Sequence, residues 1–183
     1  MDSFIFEEKV LNSYQTNKII KYFESKKDLQ QDGLLVGNVV NKEIKDCVEC
    51  NLNFQESNKI NDILLSSIIK TSNKYKEKYP FLNNIDSWAL FSGYNIQKYN
   101  PGQAYFSPHC ENSTKNNDRI LAWMVYLNTV ENGGETYFPH YQKYVKAEEG
   151  KCVIWPAYWT HVHHGIPSNN DTKYIATGWF ILI

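Results

Sequence analysis

Apolar residues recur along this chain in two rhythms, and the change from one to the other divides it. In the first half, Leu11, Tyr14, Ile19, Tyr22 and Phe23 approximate one stripe of an amphipathic helix, with Asn12 or Thr16 placed to cap it. Ile60, Ile63, Leu64 and Ile68 repeat that spacing more cleanly, after a capping candidate at Ser57. Lysines between Lys74 and Lys78 put positive charge at the helix C-terminus, where the dipole favours it, and Pro80 stops the helix. Asp32-Gly33 and Gly37-Asn38 mark turns between the helices, and residues 41–54 read as strand and loop.

From Trp88 the period becomes two. Trp88, Leu90, Tyr94 and Ile96 occupy alternate positions until Pro101-Gly102 ends the run. Ile120 to Leu127 is apolar at every position, as a strand covered on both faces would be. Asn132-Gly133-Gly134 turns into Thr136-Tyr137-Phe138, and residues 152–155 and 174–183 supply two further strands. The pattern predicts helices packed on an antiparallel sandwich or barrel. A chain of 183 residues accommodates one such domain with a full core, and two would be tight.

Composition narrows the function classes. Aromatics make up 15% of the chain and crowd its second half, in keeping with sheet. Nineteen basic and twenty acidic residues give a net charge of −1, so no polyanionic partner is indicated and nucleic acid is not expected. No apolar run reaches membrane-spanning length. The stretch Met1-Asp2-Ser3-Phe4-Ile5-Phe6-Glu7-Glu8 is acidic where a signal peptide is basic, which makes the expected address cytoplasmic. Cys47 and Cys50 have zinc-knuckle spacing, but no second pair follows, and reduced thiols are the simpler reading.

Of the five histidines, only His109 has a carboxylate two residues away, Glu111. On an extended segment, positions i and i+2 point the same way, so both side chains can reach one metal. A third ligand from a distant strand would complete a two-histidine, one-carboxylate facial triad, the set that holds non-haem Fe(II) with open positions. The cluster His161-Val162-His163-His164-Gly165 offers that ligand. Gly165 stands where a binuclear zinc hydrolase needs Asp, and Ser168-Asn169-Asn170 lacks the Glu of a cupin. One histidine of the cluster is therefore the candidate, and the residues alone leave open which.

Three ordered stretches resemble the Fe(II)- and 2-oxoglutarate-dependent oxygenases, most closely the prolyl 4-hydroxylase-like branch. They are Tyr99-Asn100-Pro101-Gly102 leading to His109-Cys110-Glu111; Tyr126-Leu127-Asn128 followed by residues 133–139; and Trp155-Pro156-Ala157 through His163 and Pro167 to Lys173, Thr177 and Trp179. The resemblance implies a mainly β, α+β fold: a double-stranded β-helix (a jelly-roll, cupin-like barrel) with N-terminal helices packed on one sheet. It makes residues 1–183 a single oxygenase domain, with 1–85 mainly helical support and 86–183 the catalytic β-barrel core.

In that family the distal histidine lies four residues before a proline, which selects His163 from Pro167, and a basic residue ten positions later pairs with 2-oxoglutarate, which selects Lys173. His109, Glu111 and His163 become the metal-ligating catalytic set. Lys173, Tyr99, Tyr126, Thr177 and Trp179 become cosubstrate-binding candidates. The implied cofactors are Fe(II), 2-oxoglutarate and O2, with ascorbate as an auxiliary reductant. The implied partner is a peptide or small-molecule substrate, first of all a peptidyl proline. Trp123, Trp155 or Tyr158 could receive a proline-rich segment, core packing being the alternative for each. Residues 112–118 border the metal motif and could form a mobile lid or a plain surface loop.

The branch usually carries H-x-D, and this chain has Glu111. The extra methylene leaves a carboxylate that can ligate, but it unsettles the substrate. The alternatives are therefore a hydroxylase of another amino acid or small molecule, or a non-catalytic cupin-like binding module. A halogenase normally loses the carboxylate altogether, and nucleic-acid demethylation in relatives uses two arginines, where Arg119 is the only one here.

Overall fold

In this computed structural model, which describes residues 2–85 and 87–183, the chain begins with strand β1 (Phe6–Lys9) and helix α1 (Ser13–Ser25). Three short strands follow, β2 (Gln31–Asp32), β3 (Leu34–Leu35) and β4 (Val39–Val40), and then β5 (Val48–Asn53) and helix α2 (Lys59–Lys78). The second half holds β6 (Trp88–Tyr99), β7 (Arg119–Tyr126), β8 (Thr136–Phe138) and β9 (Lys143–Val145). The last strands are β10 (Lys151–Pro156), β11 (His164–Gly165) and β12 (Lys173–Leu182).

Seven strands form one antiparallel sheet in the order β1-β10-β7-β12-β6-β5-β2. A smaller sheet, β11-β8-β9, packs on its inner face through Phe138 and Val145, and β3 and β4 pair as a separate hairpin. This is the jelly-roll arrangement, mainly β with two helices. β1, β2 and β5 all come from before residue 85, so the first part of the chain is not only helical support. It contributes three strands to the large sheet itself.

The all-apolar run of β7 is explained by two cores. Leu121, Trp123 and Val125 point to the side covered by the helices, where they meet Ile19, Phe23, Leu64 and Ile68. Ala122, Met124 and Tyr126 point between the sheets, against Phe138, Val153 and Trp155. Neither face of the strand sees water, so neither needs polar residues. Trp123, weighed as a substrate contact, belongs to the helix-side core instead. Its indole lies over Gly178, its register partner on β12, where a Cβ would come within 2.7 Å of the ring.

Helix α1 is capped by Asn12 in a reciprocal capping box with Gln15, not by Thr16, and α2 by Asn58 rather than Ser57. The buried stripe of α1 is Thr16, Ile19 and Phe23, while Tyr14 is 68% exposed and lies off it. Helix α2 buries Ile60, Leu64, Ile68 and Tyr75 on the outer face of the sheet. Each large apolar side chain so buried contributes roughly 1.5–3 kcal/mol. The helices thereby seal one face and leave the other for the site. No described helix is long and apolar enough to cross a membrane.

Candidate metal centre

His109, Glu111 and His163 bring one ligand atom each to within 4.8 Å of one another, and among the described residues they form the one such group. The backbone sets this approach. His109 and His163 exchange two hydrogen bonds, His109 N–H to His163 O at 3.0 Å and His163 N–H to His109 O at 2.9 Å. Two residues on, the Glu111 N–H donates to Ala157 O at 3.0 Å, which holds the extended segment and points the carboxylate to the same side as His109.

Both imidazoles are oriented in the same way. His109 Nδ1 lies 2.9 Å from Ser107 O, and His163 Nδ1 lies 2.9 Å from His161 O. A carbonyl only accepts, so each Nδ1 carries the proton and each Nε2 presents a lone pair. Those Nε2 atoms stand 3.7 and 3.4 Å from Glu111 Oε1. Burial, and then His109 beside it, hold the His163 imidazole below its ordinary value, so it is neutral. Burial pushes the Glu111 carboxyl up, but hydrogen bonds and charge from His109 and His163 when they carry a proton on Nε2 more than reverse this and hold it well below the usual carboxylate range. Two imidazole nitrogens and one carboxylate oxygen are the donor set for a divalent ion such as Fe(II). Tyr105 stacks on His109 at 3.7 Å, and Trp155 and Phe138 pack against His163.

The other cluster histidines do not converge here. His161 is buried with both ring nitrogens engaged, Nδ1 by Thr160 Oγ1 and Nε2 by Ser3 O. His164 lines the cleft beside the triad without joining it. Cys47 and Cys50 are free buried thiols, which burial pushes up to about 12 and about 11.

The triad opens into a cleft of about 510 Å³. Lys173, Ile175, Thr177 and Trp179, alternate residues of β12, all line it, as strand parity requires. Lys173 is only 5% exposed. Its ammonium donates to Gly134 O at 3.2 Å, and among the described residues no carboxylate lies within ion-pairing distance of it. Burial pushes this ammonium down to about 8. An unpaired buried cation is costly, and a bound anion would offset that cost. The Gly134 carbonyl is supplied by the turn at residues 132–134, where Gly133 has φ +77° and a Cβ would come within 2.3 Å of Pro167 O.

Tyr99 lines the cleft with its hydroxyl bonded to Gln97 Oε1 at 2.7 Å, and Thr177 lines it while donating to Trp123 O at 2.9 Å. Trp179 donates its indole N–H to Glu111 Oε2 at 2.7 Å. Tyr126 is the expected residue that does not reach the wall. It is fully buried, with its hydroxyl 2.7 Å from Thr136 Oγ1 and 3.1 Å from Val145 O, and Thr136 faces the cleft in front of it. Trp155 lines the cleft, whereas Tyr158 lines a separate shallow pocket with Phe4, Tyr79 and Phe81.

Several cleft residues went unanticipated. The hairpin segment Leu34–Asn38 forms one rim, opposite Ser113, Lys115 and Asn116 of the segment expected as lid or loop. Lys45 and Glu49 form a buried ion pair at 2.6 Å, tied to Leu34 N–H and to Gln97. Gln97 and Asn95 were legible in principle. They are the polar parity of β6, opposite the apolar positions Tyr94 and Ile96.

Residues 94–181 match the model of the 2OG-Fe(II) oxygenase superfamily. A protein of Acanthamoeba polyphaga mimivirus assigned as a prolyl 4-hydroxylase is 27% identical over 103 residues, which cover 46% of this chain and 43% of that relative's length. The viral collagen prolyl hydroxylase of Paramecium bursaria Chlorella virus-1, solved as a 2OG complex, superposes with a TM-score of 0.68 at 18% identity, covering 98% of this chain and 96% of that one. A Trichoplax adhaerens prolyl hydroxylase, solved with a hypoxia inducible factor peptide fragment, gives a TM-score of 0.73 at 15% identity, covering 98% and 84%.

Proposed function

Because residues 94–181 match the model of the 2OG-Fe(II) oxygenase superfamily, we propose that this chain is an Fe(II)- and 2-oxoglutarate-dependent dioxygenase acting on a peptidyl proline. The observation that carries the reading is the convergence of His109, Glu111 and His163 in one cleft with an unpaired buried Lys173. A divalent ion and a dicarboxylate are the two charges that would complete it.

His109 and His163 offer Nε2, and Glu111 offers Oε1. Lys173, whose ammonium lies over the Tyr99 ring, would hold the distal carboxylate of 2-oxoglutarate, with Thr177 further along the same face of β12. Fe(II) with 2-oxoglutarate and O2 supplies hydroxylation of a C–H bond, with succinate and carbon dioxide as coproducts. Met124, Trp155 and Ile175 make the inner wall apolar and keep water from the reacting atoms. At the mouth, Leu34, Leu35 and Val36 give a substrate peptide apolar contact, and Asn38, Ser113 and Asn116 give it hydrogen-bonding partners. The viral and Trichoplax neighbours act on proline, which supports the substrate class.

The test is anaerobic addition of Fe(II) and 2-oxoglutarate, read by the visible charge-transfer band of the chelate, followed by succinate release in air. Absence of both would overturn the enzyme reading and leave a binding module. Proline-rich peptides are then assayed for a mass gain of one oxygen. Succinate release without any modified proline would sink the substrate and keep the oxygenase.

A further inference from the structure

Glu111 is longer by one methylene than the aspartate usual at this position, and a longer side chain has one more torsion to fix. Two residues of this chain fix it. Trp179 donates its Nε1–H to Oε2 at 2.7 Å, and the Arg119 guanidinium lies face-on over the Trp179 ring at 3.5 Å. Arg119 also donates to the Glu111 backbone carbonyl at 3.3 Å and stands 3.6 Å from Oε2. β12 is irregular here. Its pairing with β6 shifts between Gly178 and Phe180, and its pairing with β7 shifts between Phe180 and Ile181. Trp179 itself keeps the cleft-facing parity of Lys173, Ile175 and Thr177, and the irregularity sets in beside it. Oε2 is thus occupied while Oε1 faces both histidines.

We propose that Trp179 and Arg119 are positioning residues that pin the outer oxygen of Glu111, so that the longer carboxylate presents one oxygen to the metal. This rests on the metal-site reading above, and it gives Trp179 a role different from touching the cosubstrate. The single arginine of the chain is placed to hold the indole plane. It does so by cation–π stacking, which a lysine reproduces poorly.

The test uses Co(II) as a spectroscopic probe on the full chain, with no turnover required. Trp179→Phe keeps an aromatic face for the Arg119 guanidinium but removes the N–H. It is expected to weaken Co(II) binding by roughly 10- to 100-fold, as loss of an outer-shell partner does, and to alter the d–d absorption pattern. In a Glu111→Asp background the shorter carboxylate withdraws from the indole, so Trp179→Phe should add little further. Arg119→Gln, which leaves the indole N–H in place, should weaken Co(II) binding several-fold and serves if Trp179→Phe does not fold. Unchanged affinity and spectrum in Trp179→Phe, or equal losses in the Glu and Asp backgrounds, would overturn the proposal. If the unmodified chain fails to bind Co(II), the metal-site reading fails and the pinning proposal falls with it.

Discussion

The Lys173 ammonium lies 4.8 Å from the centroid of the Tyr99 ring, and the Tyr99 hydroxyl is turned away to Gln97. The lysine thus has an aromatic face and one carbonyl for company, and among the described residues no carboxylate within ion-pairing distance. Replacing it with a similarly shaped apolar residue should separate two effects. Lys173→Met is expected to raise the KM for 2-oxoglutarate by about 100-fold or more, in line with the roughly 3–5 kcal/mol lost when one partner of a buried pair is removed. The same variant without cosubstrate should be no less stable than the parent in urea, because it removes a desolvated charge. A parallel loss of stability would show that the ammonium is already satisfied by the fold.

Lys173 also predicts a pH dependence. Its folded-state pKa of about 8 lies below the ordinary 10.5. Between those values the unfolded chain binds the proton and the folded chain does not, so this group makes stability rise with pH. The destabilisation is fully present below about pH 8 and is relieved above it. Comparing the cosubstrate-free parent with Lys173→Met across pH 7 to 10 isolates the effect from titrating tyrosines, and the difference should shrink as pH rises. Affinity for 2-oxoglutarate should fall above about pH 8 as the ammonium is lost.

Three neighbouring histidines give a ligand test. His163→Ala should abolish Fe(II) loading measured by colorimetric iron assay, whereas His161→Ala should load normally. The His161 variant should instead lose stability, because Ser3 O and Thr160 lose their partner. His164→Ala should leave both loading and stability largely intact. Normal iron content in His163→Ala would exclude the assigned triad.

The Lys45–Glu49 pair is almost wholly buried and lies at the base of the β3–β4 hairpin. Glu49→Ala strands the lysine and should cost about 3–5 kcal/mol in chemical denaturation. The double variant Lys45→Met, Glu49→Leu should recover most of that stability. Retained peptide turnover in that stable double variant would show that the hairpin does not need the pair to meet substrate.

Gly178 gives a packing test of the opposite face. A methyl there meets the Trp123 ring at 2.7 Å. Overpacking of this kind costs typically 1–3 kcal/mol, so the melting temperature of Gly178→Ala should drop by several degrees. No change would mean the indole can move aside.

The sequence carried much of this where a period or a fixed offset was at work. The alternation along β6 and β12 and the i to i+2 relation of His109 and Glu111 are local, while the offsets from His163 to Pro167 and Lys173 carry meaning only through the family resemblance. What escaped was non-local. Asn95 and Gln97 share the cleft with Lys45 and Glu49 only because β5 pairs with β6. Arg119 reads only as the chain's single arginine until β7 and β12 bring it over Trp179. Tyr126 has the parity of a cleft residue, but Thr136 stands in front of it. Tyr14 matched the helical spacing and still faces water, since the sheet covers less of α1 than its apolar stripe suggests.

The paired amides of His109 and His163 bear on how the centre is filled and emptied. Two peptide groups, rather than the ion, hold these segments together, so an emptied centre keeps its shape and refills without reassembly. The same amide protons should exchange slowly with solvent whether or not an ion is present. Iron limitation would then leave a reservoir of folded, inactive protein that recovers on resupply, in place of chains marked for degradation.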